Sequence, residues 1–407
     1  YVATKNWKYA LLGSTFFLLS SYFYIIIAAG HNGKVATLTY FAPLLAGILL
    51  VYIRKKYILG FIVTALFMGL QIAANHPQMT YYLFLALGFL FLSELVRAAT
   101  GKTPWKHFFI SSGILALAMI LGIGMNSQRL LANSEYVKET VRGKQILKSE
   151  HNAADNDGMK KQEILNWSYG KLETLNLFIP RAMGGASDEE GSDEMMKKVQ
   201  ELVQENVTSQ EEYDQISKGF GGSLTYWGDQ PGTSGPAYQG AIVVFLAILG
   251  FFFGWKKYRY WILGASVLSV LLAWGSNFMP LSELFIKFVP FYDKFRAPSS
   301  ILVVVELLFP LIAIIGLYRF FNDEKLTEEY KQKILIYVTG SVLGITLLLV
   351  IFGKSLLGFA TSNETAYLPP YLLDYLVGER FTMFRIDAIK AMIYVSITAL
   401  ALYFALK

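Results

Sequence analysis

The sequence predicts an all-α polytopic membrane protein with about ten transmembrane helices and one long hydrophilic loop. Of its 407 residues, 54% are hydrophobic and only 16% are charged, whereas soluble domains carry roughly 25% charged residues. Apolar runs of about 20 residues recur along the chain, which is the length that an α-helix needs to cross roughly 30 Å of hydrocarbon. The short alternating segments that are typical of a membrane β-barrel are not seen.

Ten apolar runs are expected to form the membrane spans. The predicted spans are 7–28, 36–53, 57–74, 80–98, 108–125, 236–254, 260–275, 299–321, 334–352 and 386–406. The hydrophilic loop 126–235 separates a first membrane half of five helices (1–125) from a second membrane half of five helices (236–407).

The distribution of Lys and Arg among the short loops predicts the orientation. The loops on one side of the predicted membrane carry 16 basic residues, and the loops on the other side carry eight. Cytoplasmic loops are the ones enriched in Lys and Arg, so the first set is assigned to the cytoplasm. Both ends of this chain are then cytoplasmic, and the loop 126–235 lies outside.

The hydrophilic loop is acidic, with 12 Lys and Arg against 18 Asp and Glu, a net charge of −6. The whole chain is +6, so the rest of it carries +12. Apolar residues at spacings of three and four predict helices over 127–148 and 193–216, which we expect to lie on the membrane surface. Polar turns are predicted between them, around 152–158.

Side chains that bind phosphates and sugars collect on the predicted outer side. Arg and Lys pair with phosphate oxygens, and aromatic faces stack on sugar rings. Inside the eighth span, a carboxylate is costly and is treated as functional by default. The candidates are His31 and Lys34 in the first outer turn, His76 in the second, Tyr226, Trp227 and Asp229 before the sixth span, Arg296 and Glu306 at and in the eighth, and Arg385 before the tenth.

Seven of these nine candidates also have a structural interpretation. The alternatives are a turn residue for His31 and Asp229, a helix cap for His76, an aromatic-belt anchor for Trp227, snorkelling anchors for Arg296 and Arg385, and a neutral hydrogen-bonded group for Glu306. Two further histidines, His107 and His151, are interpreted as solvated side chains. The functional hypothesis therefore depends on the common side of the candidates and not on any one of them.

Several function classes find no support in the sequence. It has no Gly-Lys-Ser/Thr phosphate loop, no HExxH zinc pair and no GxSxG elbow. There is no cysteine, so disulfides and thiolate chemistry are excluded. The pI near 9.0 reflects loop lysines and arginines beside membranes and gives no evidence for a nucleic-acid partner.

Taken together, the polar motifs resemble those of the YfhO-like family of bacterial membrane proteins, in the version found in the Bacteroidetes group. The resemblance is carried by Ser20-Ser21-Tyr22-Phe23, Gly30-His31-Asn32 with Lys34, Asn75-His76-Pro77-Gln78, Thr80-Tyr81-Tyr82, Trp167-Ser168-Tyr169-Gly170, Pro180, Gly184-Gly185-Ala186-Ser187, Tyr226-Trp227-Gly228-Asp229-Gln230-Pro231, Thr233-Ser234-Gly235-Pro236 and Lys294-Phe295-Arg296-Ala297. This family is grouped with the GT-C glycosyltransferases.

The resemblance implies a GT-C-like fold in the bacterial cytoplasmic (inner) membrane. It also implies transfer of a sugar from a polyprenyl-phosphate carrier in the membrane lipid to an extracytoplasmic acceptor. Such enzymes typically carry an acidic residue in the first outer loop, whereas residues 30–34 contain none. In the family, more chain precedes the stretch that matches Trp7 and more follows, so we expect that this chain lacks both portions and with them the main catalytic carboxylate.

The lead hypothesis gives each candidate a role. Arg296 and Lys34, with Arg385, would neutralise the departing lipid phosphate; Asp229, and next His31, would deprotonate the acceptor; and His76, Tyr226 and Trp227 would shape the sugar pocket. A divalent cation is compatible with this chemistry, although no ligand set is evident. One alternative is a transporter or flippase with Glu306 as a proton site. Broken helices would favour this alternative, and Pro310 is the only obvious break in the sequence. Another alternative is a scaffold that holds a partner through the loop.

Overall fold

The computed structural model describes residues 1–140, 142–143, 159–220 and 223–406. Regular structure in these residues consists of α- and 3₁₀-helices without a strand, and one isolated antiparallel bridge joins Gly184 and Tyr226. The predicted all-α class is confirmed. The end of the predicted helix 127–148, the polar turns at 152–158 and His151 lie outside the described residues.

Seven helices in the described part of the chain are long and apolar enough to cross a membrane. They are Trp7–Ala28, Asn32–Tyr52, Pro77–Ala99, Trp105–Gly124, Pro298–Asn322, Glu328–Leu356 and Pro370–Phe404. Two shorter apolar helices, Tyr57–Ala73 and Ala241–Phe253, also coincide with predicted spans. A polytopic membrane protein is therefore confirmed, while the number ten and the GT-C-like arrangement stay predictions.

The predicted seventh span is part of a broken helix pair. Lys256–Ala273 and Gly275–Phe288 are bent by 112° at the break between them. Gly275 lies in the left-handed region with φ +48°, and a Cβ there would overlap Ser168. The hydroxyl of Ser282 in the following helix donates to the Gly275 carbonyl oxygen at 2.7 Å. Glycine is needed at this corner because a side chain would meet both strain and a clash.

The chain folds into two compact units. The first unit comprises Tyr1–Gly13, Gly30–Ser168 and Gly254–Ile315, and the second comprises Ser14–Ala29, Tyr169–Phe253 and Gly316–Lys407. Two helices, Trp7–Leu18 and Val303–Asn322, contribute residues to both. The compact units thus do not follow the division of the sequence into two membrane halves and a loop.

The first unit is built mainly of apolar helices. Its helices are Asn32–Thr39, Phe41–Tyr52, Tyr57–Ala73, Pro77–Ala99, Trp105–Gly124, Ser127–Lys138, Lys161–Ile164, Lys256–Ala273 and Met279–Phe288, with 3₁₀-helices at Gly275–Phe278, Tyr292–Lys294 and Pro298–Leu302. Glycines allow close contacts, since a Cβ on Gly60 would overlap Val51 and a Cβ on Gly47 would lie 2.6 Å from the Thr64 hydroxyl. Small residues at such interfaces let helix backbones approach.

The second unit combines apolar helices with most of the described hydrophilic loop. Its helices are Ser21–Ala28, Asp193–Asn206, Gln210–Gly219, Ala241–Phe253, Glu328–Leu356, Ser362–Tyr367 and Pro370–Phe404, with a 3₁₀-helix at Leu172–Leu177. The backbones of Gly250 and Gly316 approach so closely that a Cβ on Gly316 would overlap the Gly250 Cα. Two membrane helices of this unit thus meet at a pair of glycines.

The predicted helix 193–216 is two helices, and their apolar side chains pack against protein. Asp193–Asn206 and Gln210–Gly219 are separated where Ser209 forms a capping box with Glu212. Their apolar side chains pack in one cluster whose buried members are Met195, Val199, Ile216, Leu368, Leu372 and Leu376. The apolar face of this pair is covered by Leu368 and the beginning of helix Pro370–Phe404, and its location on the membrane surface stays a prediction.

Candidate functional site

Four basic side chains from three separate segments meet in the first unit. We call His31, Lys34, His76 and Arg296 the basic cluster. The turns that carry His31 and His76 lie side by side, since a Cβ on Gly33 would lie 3.6 Å from the Ala74 carbonyl oxygen.

The third segment is attached to the other two by hydrogen bonds. The Gln78 amide donates to the Arg296 carbonyl oxygen at 2.5 Å, and Lys34 Nζ donates to the Ser300 hydroxyl at 3.3 Å. The three predicted segments around residues 31, 76 and 296 are therefore brought together, although 218 residues separate Gln78 and Arg296.

The turns that carry the basic cluster have backbone conformations that L-residues rarely adopt. Asn75 and Ala297 lie in the left-handed region, with φ values of 59° and 57°. His76 directly precedes helix Pro77–Ala99, in which Pro occupies the first turn. Residues held in this region cluster at turns and functional sites, and here they lie directly beside His76 and Arg296 in the chain.

Trp167 is an additional member of the site that the sequence did not single out as a functional residue. Its own φ is 58°, and the guanidinium carbon of Arg296 lies 5.9 Å from its ring centroid. The Ser299 amide donates to the Trp167 carbonyl oxygen at 3.4 Å. This cation–π contact holds the exposed Arg296 side chain on an aromatic face. The only available signal was the position of Trp167 in one of the resembling motifs.

The electrostatics of the basic cluster favour an anionic ligand. Burial lowers the pKa of His76 to about 4, and the charge of Lys34 contributes in the same direction. The pKa of His31 is lowered by burial and by the charges of Lys34 and Arg296. Within the described residues neither Lys34 nor Arg296 is paired with a carboxylate, and Nδ1 of His76 is buried without a hydrogen-bond partner. The cluster is thus a positively charged site in which Nδ1 of His76 is available for a further hydrogen bond.

Glu306 also lies in the first unit, within helix Val303–Asn322. Its side chain is buried, with 1% of the residue exposed. Pro310, the predicted helix break, lies inside the same continuous helix. The predicted role of Glu306 in substrate binding stays a prediction.

The predicted residues Tyr226 and Asp229 belong to the second unit. The Tyr226 hydroxyl donates at 2.8 Å to the carboxylate of Glu173, which is fully buried. Asp229 is exposed on the following turn, and its charge helps to raise the pKa of Glu173, for which burial is the larger cause. The sequence reasoning missed Glu173, which precedes Tyr226 by 53 residues.

Trp227 is placed in the core of the second unit. It is 2% exposed, it lies against Phe359 with ring centroids 5.5 Å apart, and Arg380 lies over its ring at 5.4 Å. Arg380 forms a bidentate pair with Glu364 at 2.6 and 2.7 Å. Both faces of the Trp227 ring are therefore covered by protein, and the function proposed below does not use this residue.

Arg385 is exposed in the second unit, with its guanidinium carbon 5.5 Å from the Phe381 ring. Its neighbour Asp387 is buried and accepts two hydrogen bonds from Arg181, at 2.7 and 3.1 Å. The contact with Phe381 is that of a surface side chain packed on an aromatic ring. Arg385 belongs to a different unit from the basic cluster, and its predicted role stays a prediction.

His107 is buried, so its interpretation as a solvated residue is wrong. Its Nε2 lies 2.8 Å from the Tyr52 carbonyl oxygen, and its Nδ1 lies 2.8 Å from the Tyr57 hydroxyl. Because a carbonyl only accepts, Nε2 donates to the Tyr52 carbonyl oxygen. The ring connects its own helix Trp105–Gly124 to helices Phe41–Tyr52 and Tyr57–Ala73 and has a structural role.

Among the described residues, no group of three or more His, Asp or Glu side chains is arranged to hold a metal ion. Comparison with protein-family models, curated proteins and solved structures finds no match to this chain.

Proposed function

We propose that the protein is an integral membrane glycosyltransferase that moves a sugar from a polyprenyl-phosphate carrier to an extracytoplasmic acceptor. The observation that carries the proposal is the convergence of His31, Lys34, His76 and Arg296 from three segments of the first unit. A positive site without a carboxylate partner in the described residues suits a phosphate at the membrane boundary. The resemblance to the YfhO-like family adds the sugar and the GT-C-like fold.

In the proposed reaction, an acceptor hydroxyl oxygen forms a bond to the anomeric carbon while the bond from that carbon to the phosphate oxygen breaks. The electron pair of the broken bond leaves on the phosphate, where Lys34 and Arg296 stabilise the added negative charge. Stabilisation of developing charge is often the largest single catalytic contribution. The acceptor proton passes to a general base, which contributes about 10²–10⁴-fold.

His31 is the candidate base within the basic cluster. Its side chain is accessible beside Lys34, and partial burial, together with the positive charges of Lys34 and Arg296, lowers its pKa from the ordinary value. A lowered pKa keeps the imidazole neutral at pH 7, as accepting a proton requires. Asp229, the other predicted base, belongs to the second unit.

Transfer from radiolabelled polyprenyl-phosphate sugar in isolated membranes tests the proposal. Arg296→Gln and Lys34→Gln each remove one charge-assisted contact, which is worth about 1.5–3 kcal/mol, so transfer should fall about tenfold or more. The matched control is Lys354→Gln, which removes an exposed lysine on the same predicted side. If both cluster variants transfer sugar as well as the control does, the assignment of the phosphate site is wrong.

A transporter or flippase is the second candidate, and the broken helix pair favours it. Discontinuous helices are common at the substrate sites of transporters, and Lys256–Ala273 and Gly275–Phe288 form such a pair. Movement of the lipid-linked sugar across sealed proteoliposomes, without any glycosylated product, would favour this function over transfer.

A further inference from the structure

A second group of basic side chains lies in the first unit, at the opposite end of helix Pro77–Ala99 from the basic cluster. The helix begins directly after His76 and carries Arg97 in its last turn. Its 23 residues extend over about 34 Å, at about 1.5 Å per residue. The two ends of one helix therefore carry separate groups of basic residues, and Arg97 stands on the side that the distribution of Lys and Arg predicts to be cytoplasmic.

Helix Lys256–Ala273 packs against this helix and adds a second cation. A Cβ on Gly264 would lie 2.7 Å from the ring of Phe89. Lys257 lies about two turns before Gly264 in its helix. Arg97 lies about two turns after Phe89 in the other helix. The charge of Arg97 acts on the Lys257 ammonium group, so both side chains lie at the same end of the helix pair.

Arg54 completes this group, which we call the second basic cluster (Arg54, Arg97 and Lys257). Its charge acts on Lys257 together with that of Arg97. One carboxylate, that of Glu94, lies beside these cations, with Oε1 3.3 Å from Nε of Arg97, and its charge also acts on Lys257. Three positive charges less one negative charge leave a net charge of +2, which attracts an anion.

Both arginines keep one nitrogen that donates to no group in the described part of the chain. Arg54 donates through Nε and Nη2 to the carbonyl oxygens of Val2 and Ala3, at 2.7 and 2.8 Å. Arg97 donates through Nη2 to the Thr103 hydroxyl at 3.3 Å. These contacts orient the two guanidinium groups and leave Nη1 of each available for a ligand.

The Tyr258 hydroxyl is a further group without a protein partner. Tyr258 is 0% exposed, and its hydroxyl has no hydrogen-bond partner among the described residues. The charges of Arg54, Glu94 and Arg97 act on this hydroxyl, and Nζ of Lys257 lies 5.5 Å from the centroid of its ring. A buried hydroxyl without a hydrogen bond is costly, and a ligand held by the same cations removes this cost.

We propose that the second basic cluster binds a phosphate group, with the Tyr258 hydroxyl as an additional donor. Nη1 of Arg54, Nη1 of Arg97 and Nζ of Lys257 donate charge-assisted hydrogen bonds to the phosphate oxygens. Basic pockets between transmembrane helices on the cytoplasmic side bind the phosphate head groups of lipids, and a free phosphate offers the same oxygens. The assignment does not depend on the proposed function, whose phosphate site is the basic cluster.

Paramagnetic broadening of ³¹P signals locates the bound phosphate in the purified protein. The chain has no cysteine, so Lys102→Cys accepts a single spin label, and the Lys102 amide donates to the Arg97 carbonyl oxygen at 2.8 Å. The basic cluster is about 34 Å away, so a phosphate bound there is broadened far less. The probes are dioctanoyl phosphatidylglycerol and inorganic phosphate, and phosphate-free dioctanoylglycerol serves as a competitor that should not displace them.

The affinity for each probe is then compared among variants of the labelled protein. Arg97→Gln and Lys257→Gln each remove one charge-assisted contact, so the affinity should fall about tenfold or more. The matched control Lys56→Gln removes an exposed lysine on the same predicted side and should leave the affinity unchanged. Glu94→Gln removes the carboxylate that attracts Arg97, so the affinity should rise about threefold or more. Damage to the fold cannot produce such a rise.

The outcomes decide both the site and the source of the phosphate. Absence of broadening with both phosphate probes refutes the site, as does equal affinity in Arg97→Gln, Lys257→Gln and Lys56→Gln. A weaker affinity in Glu94→Gln at an unchanged melting temperature also refutes it. Binding of phosphatidylglycerol but not of inorganic phosphate identifies a lipid head group, whereas equal binding of both identifies a free phosphate. A protein that transfers no sugar refutes the proposed function and leaves this site intact.

Discussion

The ion pair between Glu364 and Arg380 gives a quantitative prediction about the second unit. Its side chains are 4% and 0% exposed, with a shortest N–O distance of 2.6 Å. Arg380 also donates to the carbonyl oxygens of Leu224 and Phe359, at 2.8 and 3.0 Å. Glu364→Gln removes the only negative charge of the pair and leaves a buried cation, for which the expected loss of unfolding free energy is about 3–5 kcal/mol.

Urea denaturation in mixed micelles, combined with limited proteolysis, measures this loss. The control is Glu201→Gln, which breaks the exposed pair with Lys198 (side chains 42% and 47% exposed) and should change stability by less than about 1 kcal/mol. Replacing both buried partners, by Glu364→Leu and Arg380→Met, should restore most of the stability, because an apolar pair needs no counter-charge. If Glu364→Gln lowers the unfolding free energy no more than Glu201→Gln does, the inference that Arg380 is left as an uncompensated buried charge is wrong.

Three further predictions concern the basic cluster and one helix contact. The pKa of His76 is lowered from 6.5 to about 4 in the folded state, so it lies below the unfolded-state pKa. Protonation of His76 therefore destabilises the fold as pH falls from about 6.5 towards about 4. Over this pH range the melting temperature of His76→Gln should fall less than that of the wild type. Lys34→Met removes a positive neighbour and should raise the pKa of His76 in an NMR titration; an unchanged pKa would contradict the proximity of the two groups. Gly316→Ala should lower thermal stability by about 1–3 kcal/mol through overlap with Gly250, whereas Gly340→Ala, with no heavy atom within 4 Å, should be neutral or stabilising.

The apolar spans could be predicted from the sequence because each is a long run without charges. The last helix shows where this signal fails. It begins at Pro370, whereas the predicted span begins at 386, because Asp374, Glu379 and Arg380 interrupt the apolar run. The helix nevertheless continues through these charged residues, since the charge of Arg380 is paired with Glu364. Hydropathy does not reveal this partner.

The basic cluster could be predicted in part, because His31, His76 and Arg296 stand in short Gly- or Pro-containing turns on one predicted side. Glu173 could not be found in this way. It is a single glutamate in a polar segment, and its function as an acceptor depends on Tyr226 and Gln230, more than 50 residues later. Contacts between such distant segments depend on the tertiary fold and leave no local periodicity in the sequence.

Helix Pro370–Phe404 has 35 residues, so at about 1.5 Å per residue it is about 52 Å long. The apolar C-terminal part of this helix is the part predicted to lie in the membrane. With a hydrocarbon layer of about 30 Å, roughly 20 Å of the N-terminal part of the helix then projects beyond it. The projecting part carries Leu372 and Leu376, which pack against Asp193–Asn206 and its partner helix. Because of this packing, we expect a change in the tilt of helix Pro370–Phe404 to move the two acidic helices together with it.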